Sequence, residues 1–196
     1  TGNQIQIILD RTPFFGESGG QIGDHGLLLA DGLRVAVNGV RREQEVFIHS
    51  AVVEKGSIKL GDNVTLKIDM DRRSSLKANH SATHLLHASL RGYLGVHVTQ
   101  KGSLVAHDRL RFDFSHLKPL TEIDLRYIET AVNQQIRRNS SVKTRLMDPD
   151  SAVESGALAL FGERYGNEVR VVSMGTDANR AFSTELCGGT HVDNTG

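Results

Sequence analysis

Apolar and polar residues alternate in short runs over roughly the first seventy positions and fall into helical spacing afterwards, so the chain reads as strands first and mixed structure later. Ile5-Gln6-Ile7-Ile8-Leu9 predicts a strand, and Pro13 in Arg11-Thr12-Pro13-Phe14-Phe15 breaks it. Residues Leu27 to Leu29, Leu33 to Val37, Val46 to Val53 and Val64 to Ile68 predict further strands. Gly32, Gly39, Gly56 and Gly61-Asp62-Asn63 mark the corners. Short strands at this spacing, with no helical pattern among them, predict a small β-barrel over residues 1–70.

The composition shifts at Asp71-Arg72-Arg73-Ser74-Ser75. Ser74 or Ser75 is placed to cap a helix running to about Leu94, with Leu76, Ala82, Leu85, Leu86, Leu90 and Tyr93 on its apolar side. His80, His84, His87 and Arg91 form a second stripe on that helix. An alternating segment runs from Gly95 through Gln100, and Leu110-Arg111-Phe112-Asp113-Phe114 is a strand with charges on one face. Thr121 caps a second helix whose Leu125, Ile128, Val132 and Ile136 are expected in the core. Past Asp148-Pro149-Asp150 a short helix to about Leu160 is expected, then strands from Val169 to Met174 and from Ala181 to Leu186. Residues 71–196 thus predict an α+β domain, with no internal repeat.

A chain of 196 residues suits one large domain or two small ones sharing a core. With 38% hydrophobic and 23% charged residues it is neither a disordered nor a membrane-embedded composition. It holds no apolar run of the ~18 residues that would mark a membrane-spanning helix, and no signal peptide opens it, so no membrane partner is expected. A single cysteine leaves no internal disulfide framework, which makes a reducing, cytoplasmic compartment the expectation. Thr1 in place of methionine, and Gly196 only five residues past His191, make both ends read as cuts, with the C-terminus truncated.

The net charge of zero conceals an uneven spread. Residues 76–145 carry eleven Lys and Arg against five Asp and Glu, and residues 146–196 carry three against eight. The basic middle, including Lys101 and flanked by Arg72 and Arg73, is suited to a phosphate backbone; a solvated surface would show the same count.

The candidate chemistry lies in two short motifs. His80-Ser81-Ala82-Thr83-His84 puts two imidazoles on one helix face, since residues i and i+4 lie one above the other. Cys187-Gly188-Gly189-Thr190-His191 adds a thiolate and a third imidazole from what Gly188-Gly189 makes a turn. An isolated HxxxH also arises from core packing, but with the only cysteine in the partner motif the four donors suit a tetrahedral Zn2+ site. His87 lies on the same stripe and is read as an outer residue, because four donors already satisfy a tetrahedral ion. HSATH lacks the glutamate base of HExxH, which argues against a peptidase. Gly16-Glu17-Ser18-Gly19-Gly20-Gln21-Ile22-Gly23-Asp24 lacks the Walker lysine and the dinucleotide spacing; it serves either a close backbone approach to a ligand or a tight strand connection.

Taken together, HSATHLLH, the glycine loop, Gln100-Lys101-Gly102-Ser103-Leu104-Val105, Ala159-Leu160-Phe161-Gly162-Glu163 and CGGTHV resemble the editing domain of alanyl-tRNA synthetase. They are less closely similar to its freestanding trans-editing relatives and to the editing domain of threonyl-tRNA synthetase. The resemblance implies a β-barrel followed by the α/β two-layer editing domain of that type, and hydrolysis of the ester in seryl- and glycyl-tRNA(Ala). It implies zinc on His80, His84, Cys187 and His191, a place for Gln100 in the editing pocket, and the acceptor end of tRNA(Ala) and the rest of a synthetase chain as partners.

The chemistry agrees with this. A synthetic pocket sized for alanine cannot exclude glycine and rejects serine weakly, since one methylene or hydroxyl is worth about 1–3 kcal/mol. A second site that hydrogen-bonds the serine hydroxyl spares the alanyl ester, and Thr83, Gln100 and Ser103 are the candidates for that reading. Gly19, Gly20 and Gln21 are then expected over the terminal adenosine, with Arg72, Arg73 and Lys101 at the acceptor-stem phosphates. A structural zinc module that binds RNA without cleaving it, and a metallohydrolase acting on small esters, remain as alternatives.

Overall fold

The computed structural model describes residues 2–158, 167–178 and 180–196. The Ala159–Glu163 motif, and the stretch of the expected helix approaching Leu160, lie outside the described residues.

Strands β1 (Gln4–Ile8), β2 (Gly26–Ala30), β3 (Leu33–Glu43), β4 (Val46–Lys55) and β5 (Thr65–Ile68) form one antiparallel sheet in the order β1-β4-β3-β2-β5. Period-two alternation buries Leu33, Val35 and Val37 on one face of β3. A register shift between Val37 and Gly39 then moves the phase by one residue, so that Val40 joins the same core. Ile5 and Ile7 of β1 and Leu66 and Ile68 of β5 pack against that core as well.

The expected barrel is not closed. Among the described residues β1 pairs only with β4 and β5 only with β2, so the sheet keeps two edges. Phe14, from the segment between β1 and β2, completes the core. The Phe14 ring stands edge-on to His49, whose Nε2 meets Thr12 Oγ1 at 2.8 Å.

Helix α1 (Met70–Leu94) begins directly after β5. Asp69, not Ser74 or Ser75, is its N-cap, accepting the backbone N–H of Arg72; the strand ends in a capping residue, so the helix starts earlier than the serines suggest. Its buried face mixes Leu76, Leu85 and Leu90 with His80, Ser81, Thr83, His84, His87 and Ser89. Such a polar inward stripe requires partners for every group. Tyr93, expected on the apolar side, is instead 37% exposed and stacks on Tyr127.

The hairpin β6 (Gln100–Val105) and β7 (Leu110–Phe114) follows, then α2 (Glu122–Arg138), opened by a capping box between Thr121 and Asp124. Ile128, Val132 and Ile136 face the interior, whereas Leu125 is 53% exposed, since α2 presents only a narrow stripe to its neighbours. Strands β8 (Lys143–Met147), β9 (Val169–Met174) and β10 (Ser183–Leu186) form an antiparallel sheet with β9 central, and α3 (Pro149–Glu154) lies between β8 and β9 in sequence. Leu85 of α1 and Val132 and Ile136 of α2 pack on Val172 and Met174 of β9, which makes a helix layer over a sheet layer. Among the described residues no helix is long and apolar enough to cross a membrane.

Candidate metal centre

The glycine loop joins the two sheet regions through its backbone: Val105 N–H donates to Gly20 O at 2.7 Å, and Ile22 N–H to Val105 O at 3.1 Å. Arg73, near the start of α1, pairs with the carboxylate of Asp24, which is 1% exposed and also accepts Phe15 N–H at 2.6 Å. These ties hold the loop against α1, where His80 and His84 sit one turn apart with ring centroids 5.4 Å from each other.

Strand β10 delivers Cys187 into a turn that Arg170 fixes by donating to Cys187 O at 3.0 Å and Gly189 O at 2.6 Å. Gly189 is required there, because a Cβ would stand 2.1 Å from Cε1 of His80. The turn then places His191 over α1. The candidate donor atoms of His80, His84, Cys187 and His191 all lie within 4.8 Å of one another. Cys187 Sγ is 3.4 Å from His80 Nε2 and 3.3 Å from His191 Nε2.

The far nitrogens of the rings are all engaged. His80 Nδ1 donates to Gln21 Oε1 at 2.7 Å, and His84 Nδ1 to Glu185 Oε2 at 2.8 Å. Ser81 Oγ gives its own hydrogen to Lys77 O at 2.8 Å, so it accepts from His191 Nδ1 at 3.3 Å. When neutral, each imidazole therefore carries its hydrogen on Nδ1 and leaves the Nε2 lone pair open, the arrangement that outer hydrogen bonds impose on ligating histidines. His84 Nε2 is buried without a protein partner, a cost that a bound cation removes. The donor set fits a metal ion and is compatible with zinc.

Packing these groups together shifts their proton affinities. Burial raises the Cys187 thiol, but the His191 and His80 imidazoles beside its sulfur bring it well below its ordinary range. Burial also lowers His84, yet the charge of Glu185 and the Cys187 sulfur more than reverse this and raise it to about 10. His191, buried beside two other imidazoles, falls to about 4 despite the pull of Cys187 upward.

Residues 1–72 match the family described as class II (A) tRNA synthetases, and residues 169–196 the second additional domain of threonyl and alanyl tRNA synthetases. Over its whole length the chain is 53% identical to the alanine--tRNA ligase of Sinorhizobium medicae and 55% identical to that of Rhodopseudomonas palustris. The chain thus matches a segment of alanine--tRNA ligases from end to end. It spans 23% of the length of each of these two ligases.

In this relative of the alanine--tRNA ligases, Thr83, Gln100, Ser103 and Gly19 line one cavity of about 480 Å³ together with His80, His84 and Cys187. Gly20 lies behind it, in backbone contact with β6. Gln21 is fully buried, and its amide is spent within the protein: Oε1 on His80 and on Thr190 N–H at 2.9 Å, Nε2 on Thr190 Oγ1 at 2.9 Å. Arg73 is committed to Asp24, Arg72 meets His107, and Lys101 is exposed on β6 away from the cavity lining.

Sequence reasoning missed Glu185, Ser81 and Asp24 as supports of the site. Glu185 was detectable: it shares the parity of Ser183 and Cys187 along β10, which puts a carboxylate on the inward face. It is 2% exposed and also accepts from His87 Nδ1 at 3.0 Å; His87 is not grouped with the four donors.

Proposed function

We propose that this chain is the editing region of an alanine--tRNA ligase, hydrolysing the aminoacyl ester of seryl- and glycyl-tRNA(Ala) at a zinc site. The supporting observation is that the four donors and the three polar candidates Thr83, Gln100 and Ser103 belong to one cavity region, with His80, His84 and Cys187 in its wall. Held by His80, His84, Cys187 and His191, the ion would supply a Lewis acid for the ester carbonyl or for water.

The protein's own groups do the sorting. Thr83 Oγ1 gives its hydrogen to Asn79 O at 2.9 Å, which leaves its lone pairs to accept a hydrogen bond from a serine hydroxyl. Gln100 and Ser103, from β6, offer donors and acceptors on the facing wall. An alanyl ester leaves these groups unpaired, which disfavours its binding in the reactive position; these contacts thus sort serine from alanine, and a glycyl ester, which also lacks the hydroxyl, gains nothing from them. Glu185, also in the cavity wall, holds the hydrogen on His84 Nδ1 and keeps that ring in register.

In this reading residues 1–70 and 71–196 are two subdomains sharing one site. Gly19, Gly20 and the buried Gln21 shape its roof, and Arg72 and Lys101 meet tRNA(Ala) phosphates outside the cavity. The remaining ligase chain supplies aminoacylation, and the protein works in the cytoplasm.

The test is hydrolysis of seryl-tRNA(Ala) beside alanyl-tRNA(Ala), with the zinc content of the same sample measured. Selective loss of the seryl ester is expected. Folded, zinc-loaded protein that binds tRNA and cleaves neither ester would reassign the chain as a structural zinc module.

A further inference from the structure

The cavity extends beyond the donor set to a wall that neither the metal nor amino-acid selection uses. Phe15 and Gly16 of the segment after β1, and Arg42 and Phe47 on opposite strands of the β3–β4 hairpin, line it. The Arg42 guanidinium carbon lies 5.7 Å from the Phe47 ring centroid, a cation–π arrangement, and Gln44 O and the Glu45 carboxylate each accept from Arg42 at 2.8 Å. At Gly16 a Cβ would stand 3.0 Å from Phe47 Cδ1 and 3.3 Å from Arg42 Cβ, so the ring packs directly against bare backbone. Phe47 is nonetheless only partly buried, leaving aromatic surface toward the cavity.

A volume of about 480 Å³ exceeds what a seryl group fills. With the ester at the donor end, the adjoining part of the substrate is its nucleoside. An aromatic ring with a guanidinium beside it is a surface on which nucleobases stack.

We propose that Phe47, with Arg42 and Phe15, forms the subsite for the 3′-terminal adenosine of the aminoacyl-tRNA. This rests on the editing reading above. The base stacks on the Phe47–Arg42 wall, and the glycine-rich segment brings its backbone close enough to leave that wall flat.

The test uses zinc-loaded protein and two non-hydrolysable probes: 3′-deoxy-3′-(seryl)aminoadenosine and the same compound without its base. Binding to the wild type, Phe47→Leu and Phe47→Tyr is measured by calorimetry. Phe47→Leu keeps an apolar side chain against the sheet core, and Phe47→Tyr keeps the ring.

Removing the base is expected to weaken wild-type binding about tenfold or more. Phe47→Leu should lose a similar factor on the adenosine probe alone, and Phe47→Tyr should restore it. Equal affinity of wild type and Phe47→Leu for the adenosine probe, or an equal loss on both probes, overturns the subsite. Seryl-tRNA hydrolysis by the same samples separates the two claims. Wild type that cleaves the ester, with Phe47→Leu unchanged in KM, overturns the subsite alone. Wild type that neither cleaves the ester nor binds either probe overturns the editing reading and the subsite with it.

Discussion

Gln21 Oε1 stands 2.7 Å from Nδ1 of His80, so a residue of the glycine loop fixes the ring of a candidate metal ligand 59 positions later in the chain. The same oxygen accepts Thr190 N–H in the turn that carries Cys187 and His191. One buried amide thereby ties the loop, the helix and the turn together.

Gln21→Ala should therefore weaken zinc binding about ten- to a hundredfold, the usual effect of losing an outer hydrogen bond to a ligating histidine. Chelator competition measures this directly. The metal-free variant should also lose about 1–3 kcal/mol of stability, because His80 Nδ1 and Thr190 N–H are left without their partner. Unchanged zinc affinity would remove Gln21 from the support of the site.

His84→Ala should abolish both zinc loading and deacylation while the protein stays folded, since it takes one of four donors and leaves Glu185 bonded to His87 and Ser183. Zinc content and circular dichroism are read on the sample used for the assay. A folded, metal-free variant with undiminished activity contradicts a role for the metal in the reaction.

Glu185 makes metal uptake and metal-free stability depend on pH. With His84 raised to about 10 and His191 lowered to about 4, uptake near pH 7 should displace about one proton, from His84. Calorimetry in buffers of different ionisation enthalpy counts it, and Glu185→Gln should lower the count. In the metal-free protein His84, raised from 6.5, contributes stability in full below that value and loses it as pH climbs toward about 10. Glu185, lowered from 4.5, contributes in full above that value and loses it as pH falls. The stability gap between wild type and Glu185→Gln should thus be widest between pH 4.5 and 6.5. A gap independent of pH in urea unfolding would show that the pair is not ionised as described.

Asp24→Ala should cost about 3–5 kcal/mol in the same unfolding experiment, because it strands Arg73 beside the loop and removes the acceptor of Phe15 N–H. A loss below ~1 kcal/mol would mean that water replaces the carboxylate there.

The strands with clean alternation were legible in the sequence, down to the matching bounds of Leu110–Phe114 and Val169–Met174. Strand β8 was not: Lys143-Thr144-Arg145-Leu146-Met147 is exposed for four of its five residues and is held by pairing with β9, a long-range cause that leaves no local pattern. The barrel failed for a related reason, since closure depends on whether two edges meet, and strand spacing is silent on that. The donor quartet was readable because helical spacing and a lone cysteine are local facts. Its supports at Gln21 and Ser81 were hidden, because a serine in a helix and a glutamine in a loop acquire a role only from what lies across from them. The commitment of Arg73 to Asp24 was hidden likewise, 49 positions apart in sequence.

Cys187 and His80 are 107 positions apart. A nascent chain offers a passing cation only two imidazoles on one helical turn, a weak chelate. Bringing the thiolate to the helix closes that long loop, an entropic cost that the apolar contacts of β9 with α1 and α2 offset. An ion held by all four donors would therefore report on one long-range contact, the docking of the turn after β10 on α1.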